Sequence, residues 1–224
     1  MSHIVFTAKP VSRNIDCRTL LPQALQGKTV ADIAAMPLAA NLTVADVFDV
    51  SLEAAISDAH ITFKHTTAAH QYIGFGMTAG QLVVEGDAGD FLGAQLQNGV
   101  LICKGNTGAR AGDRMRRGLL LIEGDAGDYC AADMLAGTLG VLGCTGDHVG
   151  YGMKRGTLLL VNAPKLSATW IDCGTHSLPF LNLLYKSFSR LDSRFAALSS
   201  LRVQRWMGDM GGLGKAEILC LQRG

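Results

Sequence analysis

The chain has 224 residues, enough for one large domain or two small ones, and its 20 Lys and Arg nearly balance 19 Asp and Glu, leaving a formal net charge of +1. With charged residues at only 17%, there is no global field to draw in nucleic acid, an acidic surface or a membrane. Hydrophobic residues at 48% and aromatic ones at 6% exclude a disordered chain and point to an aliphatic core, with 27 glycines as the outlier.

The opening run from Met1 to Pro10 lacks the continuous apolar stretch of about 7–15 residues that a secretory signal needs, so cytoplasmic residence is expected. Residues 1–41 read as a small N-terminal α/β cap, a strand followed by a short helix near Ala31–Ala35. A middle region is placed at 42–163. Its first part, Leu42 to Ala79, is expected to hold one or two irregular rungs, with Val47, Val50 and Leu52 as strand candidates and Ile61 and Phe63 falling 19 residues before Gly80 and Leu82.

From there a repeat takes over. Gly80, Gly99, Gly118, Gly137 and Gly156 form one series; Gly86, Gly105, Gly124 and Gly143 a second; Gly89, Gly108, Gly127 and Gly146 a third, each with a step of 19 residues. Apolar rows keep the same phase: Leu82, Leu101, Leu120, Leu139 and Leu158; Val84, Cys103, Ile122, Val141 and Leu160; Met77, Leu96, Met115, Met134 and Met153. The first two rows lie two residues apart, which puts both on one face of a strand. A unit therefore reads as a short strand, a G-D-A-G-D type turn, a second short strand and a polar turn ending in Gly. No unit can bury its own apolar face, so the stable arrangement is a parallel β-helix with 19-residue rungs and the three rows inward. The glycines supply tight corners, and Asp87, Asp90, Asp125, Asp128 and Asp147 beside them suit side-chain hydrogen bonds to backbone N–H groups.

After Val161 the period ends, and Pro164-Lys165 marks the start of a C-terminal cap over 164–224. Trp170 to Cys173 suits a last strand. Leu178 to Phe188 has helical spacing, with Pro179 early in the helix and Ser177 or His176 before it. The cap is expected to cover the open end of the solenoid.

Reactive constellations fail one by one. The glycines recur in every unit and open no long helix, so they are not a dinucleotide fingerprint, and Gly214-Lys215 lacks both the first Gly and the Ser or Thr of a phosphate loop. A period of 19 is not that of calcium-binding β-roll turns. His60, His65 and His70 are five apart and match no helical face, and the six cysteines form no C-x-x-C clip and read as buried free thiols. No stretch reaches the roughly 18–20 apolar residues of a membrane span. Catalytic, cofactor-binding and metal-ligating residues are therefore all read as none. One charged feature stands out: Arg114, Arg116 and Arg117 sit on one outer turn beside Arg110, and Lys154 and Arg155 are equivalent to Arg116 and Arg117 two rungs on. That stacking gives a positive patch, suited to an acidic partner or an anionic cofactor tail, or simply solvated.

The run from Gly80 to Asp90, repeated at Gly118 to Asp128, resembles the glycine-repeat β-helix in the C-terminal domain of the large glutamate synthase polypeptide. With the tail Trp170-Ile-Asp-Cys-Gly174, Leu178-Pro-Phe-Leu181, Trp206-Met-Gly-Asp209 and Gly214 to Leu219, the chain more closely resembles the C subunit of formylmethanofuran dehydrogenase, over about residues 40 to 220. The resemblance implies a right-handed parallel β-helix and a non-catalytic scaffold subunit. Its setting would be the bacterial formyltransferase/hydrolase complex of one-carbon metabolism and formaldehyde oxidation, or the archaeal tungsten or molybdenum dehydrogenase; a detached glutamate synthase-like module is the other alternative. The low charged fraction favours the bacterial complex over a hyperthermophile's. The implied partners are an amidohydrolase-like subunit, a formyltransferase and a molybdopterin-enzyme-like subunit. Zinc, tetrahydromethanopterin and a methanofuran- or methylofuran-type carrier would sit on those partners, so this chain would serve an enzyme complex without catalytic residues of its own.

Overall fold

The computed structural model describes residues 2–54 and 60–222. Its strands are β1 (Ser2–Ala8), β2 (Ile15–Asp16), β3 (Pro37–Ala39), β4 (Leu42–Thr43), β5 (Phe48–Ala54), β6 (His60–Lys64), β7 (His70–Gln71), β8 (Gln81–Glu85), β9 (Val100–Cys103), β10 (Leu119–Ile122), β11 (Thr138–Val141), β12 (Arg155–Leu160), β13 (Ile171–Ser177), β14 (Arg202–Gly208) and β15 (Lys215–Leu221). Three helices of four or five residues, α1 (Pro22–Leu25), α2 (Val30–Ala34) and α3 (Val44–Val47), lie near the N-terminus; α4 (Leu181–Phe188) and a 3-10 turn, Arg194–Ala197, lie near the C-terminus. Thr29 with Asp32 and Thr43 with Asp46 close capping boxes on α2 and α3.

Eleven strands form one mixed sheet in the order β13-β14-β15-β12-β11-β10-β9-β8-β6-β1-β5. Its centre is a parallel stack in which Val100, Leu119, Thr138 and Thr157 are successive partners, a step of nineteen residues, as in a β-helix. All three inward rows are fully buried and belong to one core. The second strand of each unit is reduced to single bridges, Ala88 to Thr107 to Ala126 to Thr145. Backbone hydrogen bonds still tie rung to rung there, as from Tyr72 N to Asp90 O and from Phe91 N to Ala109 O, both 2.9 Å.

Between β6 and β8 the step is longer than the sequence suggests. Ile61 pairs with Leu82 and Phe63 with Val84, rather than with Gly80 and Leu82. Asp87 N donates to Thr66 O and Gly89 N to His70 O, so the two extra residues lie in the corner between Thr66 and His70. From His70 onward the phase of nineteen holds. Val50 and Leu52 lie in β5 as expected, whereas Val47 ends α3.

Two terminal strands extend the stack. β1 runs parallel to β6, stacking Phe6 on Phe63 at 4.9 Å, and β5 closes that edge antiparallel to β1. At the other end β15 runs parallel to β12, and β14 and β13 complete an antiparallel meander. This meander, not the helix, occupies the end of the solenoid. α4 starts at Leu181, with Pro179 just ahead of it, and together with the 3-10 turn it packs on the outer face of the sheet. Val83, Ile102, Leu121, Leu159 and Leu219 point outward and are buried beneath Leu181, Tyr185, Phe188 and Phe195. The sheet is thus apolar on both faces, which explains three consecutive buried residues in β9 and β10.

One buried acid holds this cover down. Glu123 is 6% exposed, and its Oε1 accepts from Ser193 Oγ at 2.7 Å and from Arg194 N at 2.8 Å. Glu123→Ala should cost about 1–3 kcal/mol, because both donors at the start of the 3-10 turn lose their acceptor. Urea titration should show a lower midpoint, and hydrogen exchange should show the turn opening ahead of the stack.

Candidate docking surface

The repeat glycines are a structural set. Asp87 Oδ1 accepts from Asn106 N at 2.8 Å, Asn106 Oδ1 from Asp125 N at 2.8 Å, and Asp125 Oδ1 from Cys144 N at 2.7 Å. A parallel ladder runs from Asp90 to Ala109 N and from Asp128 to Asp147 N. The expected Asx bonds therefore exist, but they reach the next rung rather than closing their own turn. Gly105, Gly124 and Gly143 lie where these side chains cross, and a Cβ would strike the acceptor itself. At the other corner Gly118 needs its φ of 95°, with Gly99 O packed where a Cβ would stand.

Titratable clusters elsewhere are explained by packing. His3 and His60 meet edge to face at 4.5 Å, and His3 is bonded to Thr62 at 2.9 Å. His65 is not with them, and among the described residues no group of three His, Cys, Asp or Glu could hold a metal. Cys17, Cys103, Cys130 and Cys220 are buried, and burial pushes the Cys103 and Cys130 thiols up to about 12. Cys144 is exposed and Cys173 half-buried, a departure from the expectation of six buried thiols. Asp209 is buried; burial pushes its carboxyl up, but bonds from Thr169, Gly211 and Gly152 prevail and hold it below the usual carboxylate range. These bonds fix the end of β14 against the last rung.

His70 is 1% exposed, against the Phe48 ring at 5.5 Å. Its Nδ1 accepts from Thr67 N at 3.1 Å, while Nε2 is buried without a partner. Burial holds its pKa below the ordinary imidazole value, and burial followed by the neighbouring His3 does the same to His60. The unfolded chain takes up a proton near pH 6.5 that the folded chain refuses, so stability falls as pH drops below about 6.5 and stops falling below the folded pKa. The thermal midpoint should therefore be lower at pH 5.5 than at 7.5. His70→Asn, which keeps an acceptor for Thr67, should leave only the His60 part of that slope.

Among the described residues, the cations of the basic patch form a surface feature not consumed by the fold. Arg114, Arg116 and Lys154 line a single shallow groove with Gln95, Asp133 and Leu135. Arg116 and Lys154 occupy one row two rungs apart, with Leu135 between, each rung hydrogen-bonded to the one before. Arg117, Ala136 and Arg155 form the adjacent row. Arg155 opens β12, where its register partner in β15 is Lys215, so the row gains a cation that the repeat could not disclose. Arg116, Arg117, Lys154, Arg155 and Lys215 are exposed. Among the described residues none of them is in an ion pair, while Arg114 leans toward Asp113 at 3.8 Å. Arg110, beside the patch in sequence, is not free: it is paired with Asp113 at 3.0 Å and lies over the Tyr129 ring at 4.9 Å.

No family model matches the chain. The C subunit of the tungsten-containing formylmethanofuran dehydrogenase 2 of Methanocaldococcus jannaschii is 45% identical over 49 residues, 22% of this chain and 18% of that protein's length. A chain in the crystal structure of the formyltransferase/hydrolase complex (FhcABCD) from Methylorubrum extorquens, in complex with methylofuran, is similar from end to end. The TM-score is 0.68 at 28% identity, covering 98% of this chain and 100% of that one. The resemblance to the formylmethanofuran dehydrogenase C subunit is found again in the first of these, and the second is a chain of a formyltransferase/hydrolase complex. No helix among the described residues is long and apolar enough to cross a membrane.

Proposed function

We propose that this chain is a structural subunit of a multi-subunit one-carbon enzyme, a formyltransferase/hydrolase complex in which the chemistry is performed by other subunits. The observation that carries the reading is the end-to-end likeness to a chain of such a complex, over 98% of this chain and 100% of that one. In this reading the fold is a right-handed parallel β-helix with nineteen-residue rungs. Its N- and C-terminal segments protect the sheet edges, and its basic patch, Arg114, Arg116, Arg117, Lys154 and Arg155, faces a partner. The partners are an amidohydrolase-like subunit, a formyltransferase and a molybdopterin-enzyme-like subunit, in the cytoplasm. A formyl group passes from formyl-tetrahydromethanopterin through a methanofuran-type carrier to formate on those subunits. A sheet buried on both faces and tied rung to rung is stiff, which is what holding several subunits in fixed positions requires.

Affinity purification of the tagged chain from its host, with mass spectrometry and a formyltransferase/hydrolase assay of the eluate, tests this. Hydrolase-like and formyltransferase subunits with activity would support it. A lone chain, or flavin-containing partners of a glutamate synthase, would overturn it. The stretch shared with a tungsten enzyme favours an archaeal-type dehydrogenase as second reading, for which tungsten or molybdenum in the eluate is the deciding measurement.

A further inference from the structure

We propose that the basic strip receives an acidic segment of a partner protein in polyproline II conformation, running along the stack with a carboxylate at every third position. The inference rests on the scaffold reading only for where that segment comes from.

Spacing carries the argument. Arg116 and Lys154 are two rungs apart, as are Arg117 and Arg155. Stacked strands lie roughly 4.8 Å apart, so the backbone positions that carry each pair are separated by roughly 9.6 Å along the axis. A polyproline II segment rises about 3.1 Å per residue with three residues per turn, so side chains at i and i+3 share a face about 9.3 Å apart. An extended β-strand presents same-face side chains about 6.8 Å apart and falls out of step after one pair. Between the two cations lies Leu135, half-buried, offering an apolar floor for the segment's own stem atoms or proline rings.

Charge supplies the direction. Five exposed cations without ion-pair partners among the described residues face solvent here, with Asp133 as the one acid lining the groove. Two unit charges held at that rung spacing repel by about 0.4 kcal/mol in bulk water, and a carboxylate seated at each converts repulsion into attraction. The segment must lack like-charged neighbours and need not fold, and a polyproline II chain loses little ordering entropy on docking.

Fluorescence anisotropy on the purified full chain tests this with two labelled peptides of one composition, Glu at every third position among prolines and alanines, or all Glu clustered at one end. The spaced peptide is expected to bind at least tenfold tighter, with affinity falling as salt rises. Arg116→Ala with Lys154→Ala should lose at least tenfold. Arg116→Glu with Lys154→Glu should instead bind a peptide with Lys at every third position, a gain that unfolding cannot mimic. Equal binding of both Glu peptides, tighter binding of a single-stranded RNA or of phosphatidylserine vesicles, indifference to the substitutions, or no binding would each overturn the proposal. Because this readout uses peptides and the isolated chain, its failure leaves the co-purification result standing, and failure of co-purification leaves this one.

Discussion

Gly124→Val is expected to abolish cooperative folding of the stack, at a cost above about 4 kcal/mol, with the protein recovered largely insoluble. Gly124 is not in the left-handed region, so backbone preference is not the cause. A Cβ there would lie 2.6 Å from Gly105 O and 2.7 Å from Gly105 C, both backbone atoms of the preceding rung, with Asn106 Oδ1 closer still. The two backbone atoms cannot rotate away. The rungs would have to separate, breaking the bonds from Gly124 N to Gly105 O and from Asp125 N to Asn106 Oδ1. Gly174→Ala sets the scale of a purely local effect: its φ is 81° and a Cβ there meets nothing within 4 Å, so its cost should stay near 1 kcal/mol. Comparing the soluble yield of the two variants, and the circular dichroism melt of each soluble fraction, separates the explanations. A similar loss in both would mean that conformational freedom, not rung spacing, explains the glycine series.

Much of this architecture is legible in the sequence because a repeat multiplies its own signal. A single Leu120 says little, but Leu82, Leu101, Leu120, Leu139 and Leu158 in phase with the glycines define an inward row, and all five are buried. What escapes lies off the repeat or depends on partners distant in sequence. The outward row Val83, Ile102, Leu121 and Leu159 is in plain view as a third apolar residue per strand, and it signals a covered outer face; the expectation of a helix at the solenoid's end overlooks it. The corner at Thr66 to His70 hides its two extra residues because no large apolar residue marks it. Tyr72, Phe91, Arg110, Tyr129 and His148 all take φ near 60°, yet share no residue type that favours it. Bonds to the next rung, such as Arg110 N to Asp128 O at 2.8 Å, impose that conformation. Lys215 joins the basic strip only through the pairing of β15 with β12.

Phe195→Ala should cost about 3–5 kcal/mol and release the C-terminal cover from the sheet. Its ring is fully buried, edge-on to Phe188 at 5.7 Å, and fills the one gap in the outward row, where β11 carries Gly140. A Cβ at Gly140 would come 2.5 Å from Phe195 Cε1 and 3.0 Å from Cζ, so glycine in a strand interior, otherwise unfavourable, is explained by this ring. Gly140→Val alone should therefore destabilise by about 1–3 kcal/mol through overpacking, against the strand preference for valine. The two effects share one volume, so they cannot add. With Phe195→Ala in place, Gly140→Val fills part of the cavity and pairs with Leu121 and Leu159 as the other rungs do, and the double variant should be more stable than the sum of the singles by about 0.5–3 kcal/mol. Urea midpoints of the four proteins give that coupling directly. Additivity would mean that the cover is held by the Glu123 contacts and the rest of the helix, with Gly140 merely tolerated beneath it. Coupling would establish that residues 55 apart in sequence were matched to each other, and that the solenoid's outer face is shaped to hold its own C-terminal segment rather than a partner.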